Sequence, residues 1–224
     1  MNMQRVLENL RLQYADLDRV AKKAISQFKV SCGKGCFACC YQMTALNTLE
    51  GLLIADHVCR QENWLETAQK LRDASFAYVK PGLDRAEHFR TRTPCVFLKD
   101  GNCSIYEIRP AACRFLYVTT PAELCDPARD SDVGAVNLTE LEAHVFKLAE
   151  MSLHPIASAP LPLMVLYCML ITALPHQEKM LNQLTNGLPD PITWMNTILP
   201  MMKMDVHPET RDAMIDAIKK VGIQ

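Results

Sequence analysis

The first twenty residues, MNMQRVLENLRLQYADLDRV, lack the apolar core segment of a secretory leader and carry acidic and basic side chains throughout. The expectation is a chain that is not exported and that works in a reducing, cytoplasmic setting. A charge excess is also missing. The formal net charge is −1 over 224 residues, without the basic surplus of a dedicated nucleic-acid binder. There is no internal repeat and no low-complexity tract. One uncharged run, residues 155–174 (PIASAPLPLMVLYCMLITAL), invites a membrane reading. Three prolines occupy its first half, leaving only Leu163 to Leu174 as an unbroken helix. That is shorter than the roughly 20 residues needed to span a bilayer, so the run reads as a buried core helix and no membrane partner is expected.

What is present is enough apolar material for a core, at 49% hydrophobic residues, and an unusual number of cysteines, ten. In a reducing compartment, thiols stay free unless a metal or a catalytic cycle uses them.

The apolar residues up to Phe28 fall mostly at spacings of three and four (Leu7, Leu10, Tyr14, Leu17, Ala21, Ala24), which predicts one long amphipathic helix. Asn47 followed by Glu50 is a capping box opening a second helix that runs to about Arg60. A third is expected from Trp64 to Tyr78. Around Val96-Phe97-Leu98 the pattern turns extended, and Asp100-Gly101 supplies a tight turn. This predicts a small hairpin with Cys95 before its first strand and Cys103 just after its turn. The DPARDSD run from Asp126 reads as a linker. From Leu138 onward the chain reads as helices, with Thr139 and Glu142 as a further capping box, Gly187 and Gly222 as helix stops and Pro208 at a first turn. The fold class expected is mainly α: a helical domain carrying an inserted cysteine-rich metal-binding loop and a short β-hairpin. Residues 1–130 would be the cysteine-cluster domain and 131–224 a helical segment packed on it, without a catalytic group.

Eight cysteines fall into two sequence groups. Cys32, Cys36, Cys39 and Cys40 lie within SCGKGCFACC; Cys95, Cys103, Cys113 and Cys125 follow across the hairpin and beyond. Short spacings with Gly33 and Gly35 between them let thiolates converge without ordering long loops. Four thiolates suit tetrahedral zinc or an iron–sulfur cluster, since both prefer soft sulfur donors. Disulfides conflict with the reducing setting, and adjacent Cys39 and Cys40 could close only a strained ring. Cys59 and Cys168 stand apart and read as small core residues. Glu50 is explained as a cap partner and shares a helix face with His57; neither needs a metal role. Lys34, Arg109 and Arg114 are placed to offset thiolate charge. Neighbouring side chains such as Cys39 and Cys40 diverge in an extended backbone, so one sulfur can serve a centre with Cys32 and Cys36 while the other faces the second group.

These motifs resemble the YkgJ-like cysteine-cluster family, a zinc- or iron-chelating domain with a CxxCxxCC signature. The resemblance rests on Cys36-Phe37-Ala38-Cys39-Cys40, the helix with Glu50, Pro94-Cys95 with Phe97-Leu98, and CSIYEIRPAACR from Cys103 to Arg114. It implies metal ligation by Cys32, Cys36, Cys39, Cys40, Cys95, Cys103 and Cys113, with Cys125 as the eighth ligand. The leading expectation is a metal-binding protein holding zinc or an iron–sulfur cluster, with redox activity as an extension. Two alternatives stand beside it. Cys32, Cys36 and Cys39 share the spacing of radical S-adenosylmethionine enzymes, and flagellin lysine-N-methylases resemble this family in their cysteine cluster. Against that, Ala38 stands where such enzymes usually carry an aromatic, and the strand–helix repeat of a barrel is missing. The other alternative is a zinc-stapled adaptor for a protein or nucleic acid. No particular protein partner is indicated.

Overall fold

The computed structural model describes residues 3–33, 35–78, 85–125, 132–152 and 158–173. Within them the helices are α1 (Met3–Ile25), α2 (Thr48–Cys59), α3 (Trp64–Tyr78), α4 (Arg85–Arg90), α5 (Ala111–Arg114), α6 (Thr139–Ser152) and α7 (Leu161–Ala173). Strands are short: β1 (Ala45–Asn47), β2 (Leu98–Lys99), β3 (Asn102–Cys103), β4 (Leu116–Val118), β5 (Ala135–Asn137) and β6 (Ser158–Pro160). They form antiparallel pairs β1–β6, β2–β3 and β4–β5. The protein is mainly helical, as its periodicity predicts. The readings at Gly187, Pro208 and Gly222, and the linker at 126–131, lie outside the described residues.

The chain divides into two compact units, Met1–Thr44 with Gly82–Ser152 and Ala45–Pro81 with Leu153–Gln224. In the first, α1 buries Leu7, Leu10, Tyr14, Leu17 and Ala21, a single stripe at helical spacing. It packs against α6, whose Val145 and Ala149 are fully buried. The helix stops at Ile25, so Phe28 falls beyond the stripe and is exposed. Arg114 is the largest buried polar side chain here. Its guanidinium donates to Asp18 Oδ2 at 2.5 Å and to the Glu107 carbonyl at 2.5 Å, and stacks on Tyr14 at 4.2 Å. The charge of Arg114 is thus taken up by α1, a different use from the thiolate compensation its place after Cys113 predicts.

The second unit is built on α2 and α7. Asn47 and Glu50 close the predicted capping box, each side chain bonding the other's backbone N–H at 3.0 Å. From Leu161 to Met169 every residue of α7 is buried, the core-helix role expected of the uncharged run. Among the described residues no helix is long and apolar enough to cross a membrane. Gly51 lets α7 approach: a Cβ there would meet Met164 Cγ at 2.6 Å and Cys168 Sγ at 2.9 Å. Gly51→Ala gains about 1 kcal/mol of helix propensity but overpacks this contact, a penalty of about 1–3 kcal/mol. A lowered urea midpoint is the expected net result, and a raised one would show that α7 can give way.

Three acids of this unit favour their neutral forms. Burial, reinforced by Asp56, pushes Cys59 up to about 11. Burial, then the charge of Cys168, pushes Tyr167 up to about 12. Cys168 is raised by burial alone. Well below pH 9 these groups are neutral whether folded or unfolded, and their contribution is complete. As pH rises from 9 through 12 the unfolded chain releases protons the folded chain retains, so stability falls. The urea midpoint is expected to be lower at pH 10 than at pH 8; an unchanged midpoint would mean these groups ionise normally.

Candidate metal centre

All eight clustered cysteines fall in the first unit. The loop that carries the first four is shaped by Gly35, at φ +85°, where side-chain-bearing residues are disfavoured. A 3-10 turn over Ala38–Tyr41 follows and sets Cys39 and Cys40 side by side. Backbone bonds tie the loop to the second cysteine group: Cys95 N–H donates to the Cys40 carbonyl at 2.7 Å, and Ser31 N–H to the Val118 carbonyl at 2.7 Å. The predicted hairpin is β2–β3, with Leu98 opposite Cys103. Asp100 and Gly101 both have positive φ, 50° and 73°, the geometry that Asp-Gly favours in a two-residue turn. Phe37 lies across Gly101, its ring 3.5 Å from where a Cβ would stand. A further 3-10 turn, Ala122–Cys125, packs on the Ala38–Tyr41 turn and brings in Cys125.

Five of the cysteines, Cys32, Cys36, Cys39, Cys113 and Cys125, line one cavity of about 230 Å³ whose other walls include Phe89, Leu116 and Val118. Backbone and hydroxyl groups address the sulfurs. Val118 N–H donates to Cys32 Sγ at 3.2 Å, and the Phe97 and Ile105 N–H groups favour the ionised forms of Cys95 and Cys103 respectively. Thr44 Oγ1 lies 3.6 Å from Cys113 Sγ. Bonds of this kind favour thiolates and hold them in place. Arg109, stacked on Tyr106 at 3.8 Å, lends positive charge to Cys39 and Cys103. Lys34 lies outside the described residues.

Burial and mutual repulsion work against ionisation. Burial pushes Cys95 up to about 11 and Cys113 up to about 12, opposed by Phe97 N–H and the Thr44 hydroxyl respectively. Cys32, Cys103 and Cys125 are raised chiefly by burial too. Cys39 and Cys40 titrate as a pair. A hydrogen bond between the two thiol groups lowers Cys39 to about 7 against the pull of burial, and raises Cys40. Among the described residues no three Cys, His, Asp or Glu side chains already stand as a closed metal-holding group. Protonated thiols have no reason to gather as tightly as thiolates around a cation; closing the site requires a metal to displace their protons. The donor set fits a soft or borderline metal.

Cys59 and Cys168 belong to the other unit; Cys168 is fully buried and bonds the Thr48 carbonyl at 3.6 Å, as a core residue does, whereas Cys59 at the end of α2 is only half-buried. Glu50 is buried in its capping box. Sequence reasoning missed Thr44 and the Val118 amide. Nothing in their local sequence marks them, because each meets its sulfur only through the tertiary fold.

The geometry gathers cysteine-bearing turns on a helical scaffold. Residues 31–135 match a family model described as "CxxCxxCC: Putative zinc- or iron-chelating domain", the family the motifs resemble. The matched span contains all eight clustered cysteines, and its description fits zinc or iron as the cofactor. Comparison with curated proteins and with solved structures found no match.

Proposed function

We propose that this protein holds zinc or an iron–sulfur cluster through Cys32, Cys36, Cys39, Cys40, Cys95, Cys103, Cys113 and Cys125. The observation that carries this reading is the convergence of both sequence groups on one cavity, where Cys32, Cys36 and Cys39 meet Cys113 and Cys125. The Val118 N–H bond to Cys32 and the N–H groups that favour ionised Cys95 and Cys103 supply the support that thiolate ligands need. A reducing, cytoplasmic setting belongs to the same reading, since thiols remain available there. An iron–sulfur cluster would add electron transfer; zinc would make the centre structural.

The radical-enzyme reading needs one iron left open to a substrate. Cys113 and Cys125 line the same cavity as Cys32, Cys36 and Cys39, and either could fill that position, which favours a closed centre. The deciding experiment is metal and sulfide analysis with a visible spectrum of protein purified without oxygen. Brown protein with iron and sulfide supports the cluster and keeps redox chemistry open. Colourless protein with stoichiometric zinc supports the structural centre. Protein with neither metal, before and after reconstitution, overturns the proposal.

A further inference from the structure

We infer that Thr44 is a positioning residue of the metal centre, its hydroxyl fixing the Cys113 sulfur and donating to it once metal binding has displaced the thiol proton. The inference rests on Cys113 being a ligand, as proposed above, and adds a residue that is not itself a ligand.

Both ends of this contact are fixed by their surroundings. Cys113 sits in α5, where its N–H bonds the Pro110 carbonyl. The next residue, Arg114, is anchored by Asp18 and the Glu107 carbonyl. The backbone of Cys113 is therefore held, and what remains to be set is the rotation of its side chain. Thr44 lies 69 residues earlier, just past the turn that Gln42 N–H closes on the Cys39 carbonyl. Its branched Cβ restricts χ1, so the hydroxyl is delivered in one direction. Thr44 Oγ1 stands 3.6 Å from Cys113 Sγ, and both residues line the cavity. The contact joins a side chain of the first cysteine loop to a sulfur of the second group.

A hydroxyl suits this place better than an amide. It has one proton to give and two lone pairs that can receive one. While Cys113 is a thiol, Thr44 can accept its proton in a hydrogen bond. On metal binding that proton leaves for solvent, and the hydroxyl turns to donate to the sulfur. The Val118 N–H that addresses Cys32 can only donate. A hydrogen bond to an ionised group is roughly twice as strong as a neutral one. The Thr44 contact therefore holds the sulfur in the metal-free chain and strengthens in the loaded one.

The test measures zinc affinity of the full chain under reducing conditions, by competition with a chromophoric chelator, and the absorption of the cobalt(II) form. Thr44→Val keeps the branched shape and removes the hydroxyl. It is expected to bind the same amount of zinc about tenfold more weakly, the lower end for loss of a group that orients a ligand. Its sulfur-to-cobalt charge-transfer band should move to longer wavelength, because a sulfur relieved of a hydrogen bond gives up an electron more readily. A purely structural role would not move that band. Thr44→Ser should restore both the affinity and the band. If Thr44→Val fails to fold, Thr44→Ala is the hydroxyl-free variant to compare with Thr44→Ser. A hydroxyl-free variant with unchanged affinity and band would overturn the inference while leaving metal binding intact. So would a Thr44→Ser chain that binds as weakly as the hydroxyl-free one, since the methyl group would then be what matters. An unaltered chain that takes up neither zinc nor cobalt would overturn the metal-binding reading itself.

Discussion

Stripping the metal with a chelator is expected to release the cysteine loop while the α2–α7 core stays folded. Among the described residues from 31 to 44, none is buried, so apolar burial cannot hold this loop in shape. Its anchors are a few backbone bonds, such as Cys95 N–H to the Cys40 carbonyl, each worth only about 1 kcal/mol net. Structural zinc, by contrast, supplies about 10–16 kcal/mol in small thiolate sites, comparable to the whole stability of an ordinary domain. Hydrogen exchange should therefore show the amides of Ser31, Cys40, Cys95 and Val118 losing protection on chelation, with Leu53 and Val165 keeping theirs. Unchanged exchange at Cys95 would mean the loop is ordered without metal.

The second large effect is expected at Asp18. Arg114 is 2% exposed and its partner Asp18 is 43% exposed, so the two ends of this ion pair stand in different surroundings. Asp18→Ala strands a buried guanidinium with only the Glu107 carbonyl and the Tyr14 ring. Removing one partner of a buried pair costs about 3–5 kcal/mol, and the half-exposed carboxylate puts this case near the lower end, about 3 kcal/mol. Arg114→Met removes the charge and fills much of the same space, so adding it to Asp18→Ala should restore most of the loss. Urea unfolding of the two single variants and the double variant measures the coupling. Strictly additive losses would show that the pair contributes nothing as a pair.

Much of the scaffold was legible because its signals are local. The Leu7-to-Ala21 stripe, the Asn47/Glu50 box and the Asp100-Gly101 turn each declare themselves within a few residues, and the structure has all three. The pairs β1–β6 and β4–β5 were not legible. Each strand has three residues, too few for an alternating pattern, and Ala45 finds its partner at Pro160. The Thr139 box fails for a related reason. The helix already includes Thr139 and its first N–H groups bond the Leu138 carbonyl, so the backbone begins one residue earlier than the side-chain pattern implies. For the site, clustering singled out eight cysteines as candidates, and spacing arranged them in two groups by sequence. In the structure Cys125 lines the same cavity as Cys32 and Cys36, because β4, from which its loop leaves, is bonded through Val118 to Ser31 and Cys32.

The second unit draws on two stretches of chain with much of the first unit between them, which gives its assembly a timetable. Cys168 and the Thr48 carbonyl it touches are 120 residues apart. At about 5–20 residues per second of synthesis, α2 leaves the ribosome roughly ten seconds before α7 exists. Throughout that interval Leu49, Leu52, Leu53 and Ile54, all buried in the finished protein, have no α7 to cover them. A newborn chain of this design therefore carries an uncovered apolar helix face until its last described helix emerges.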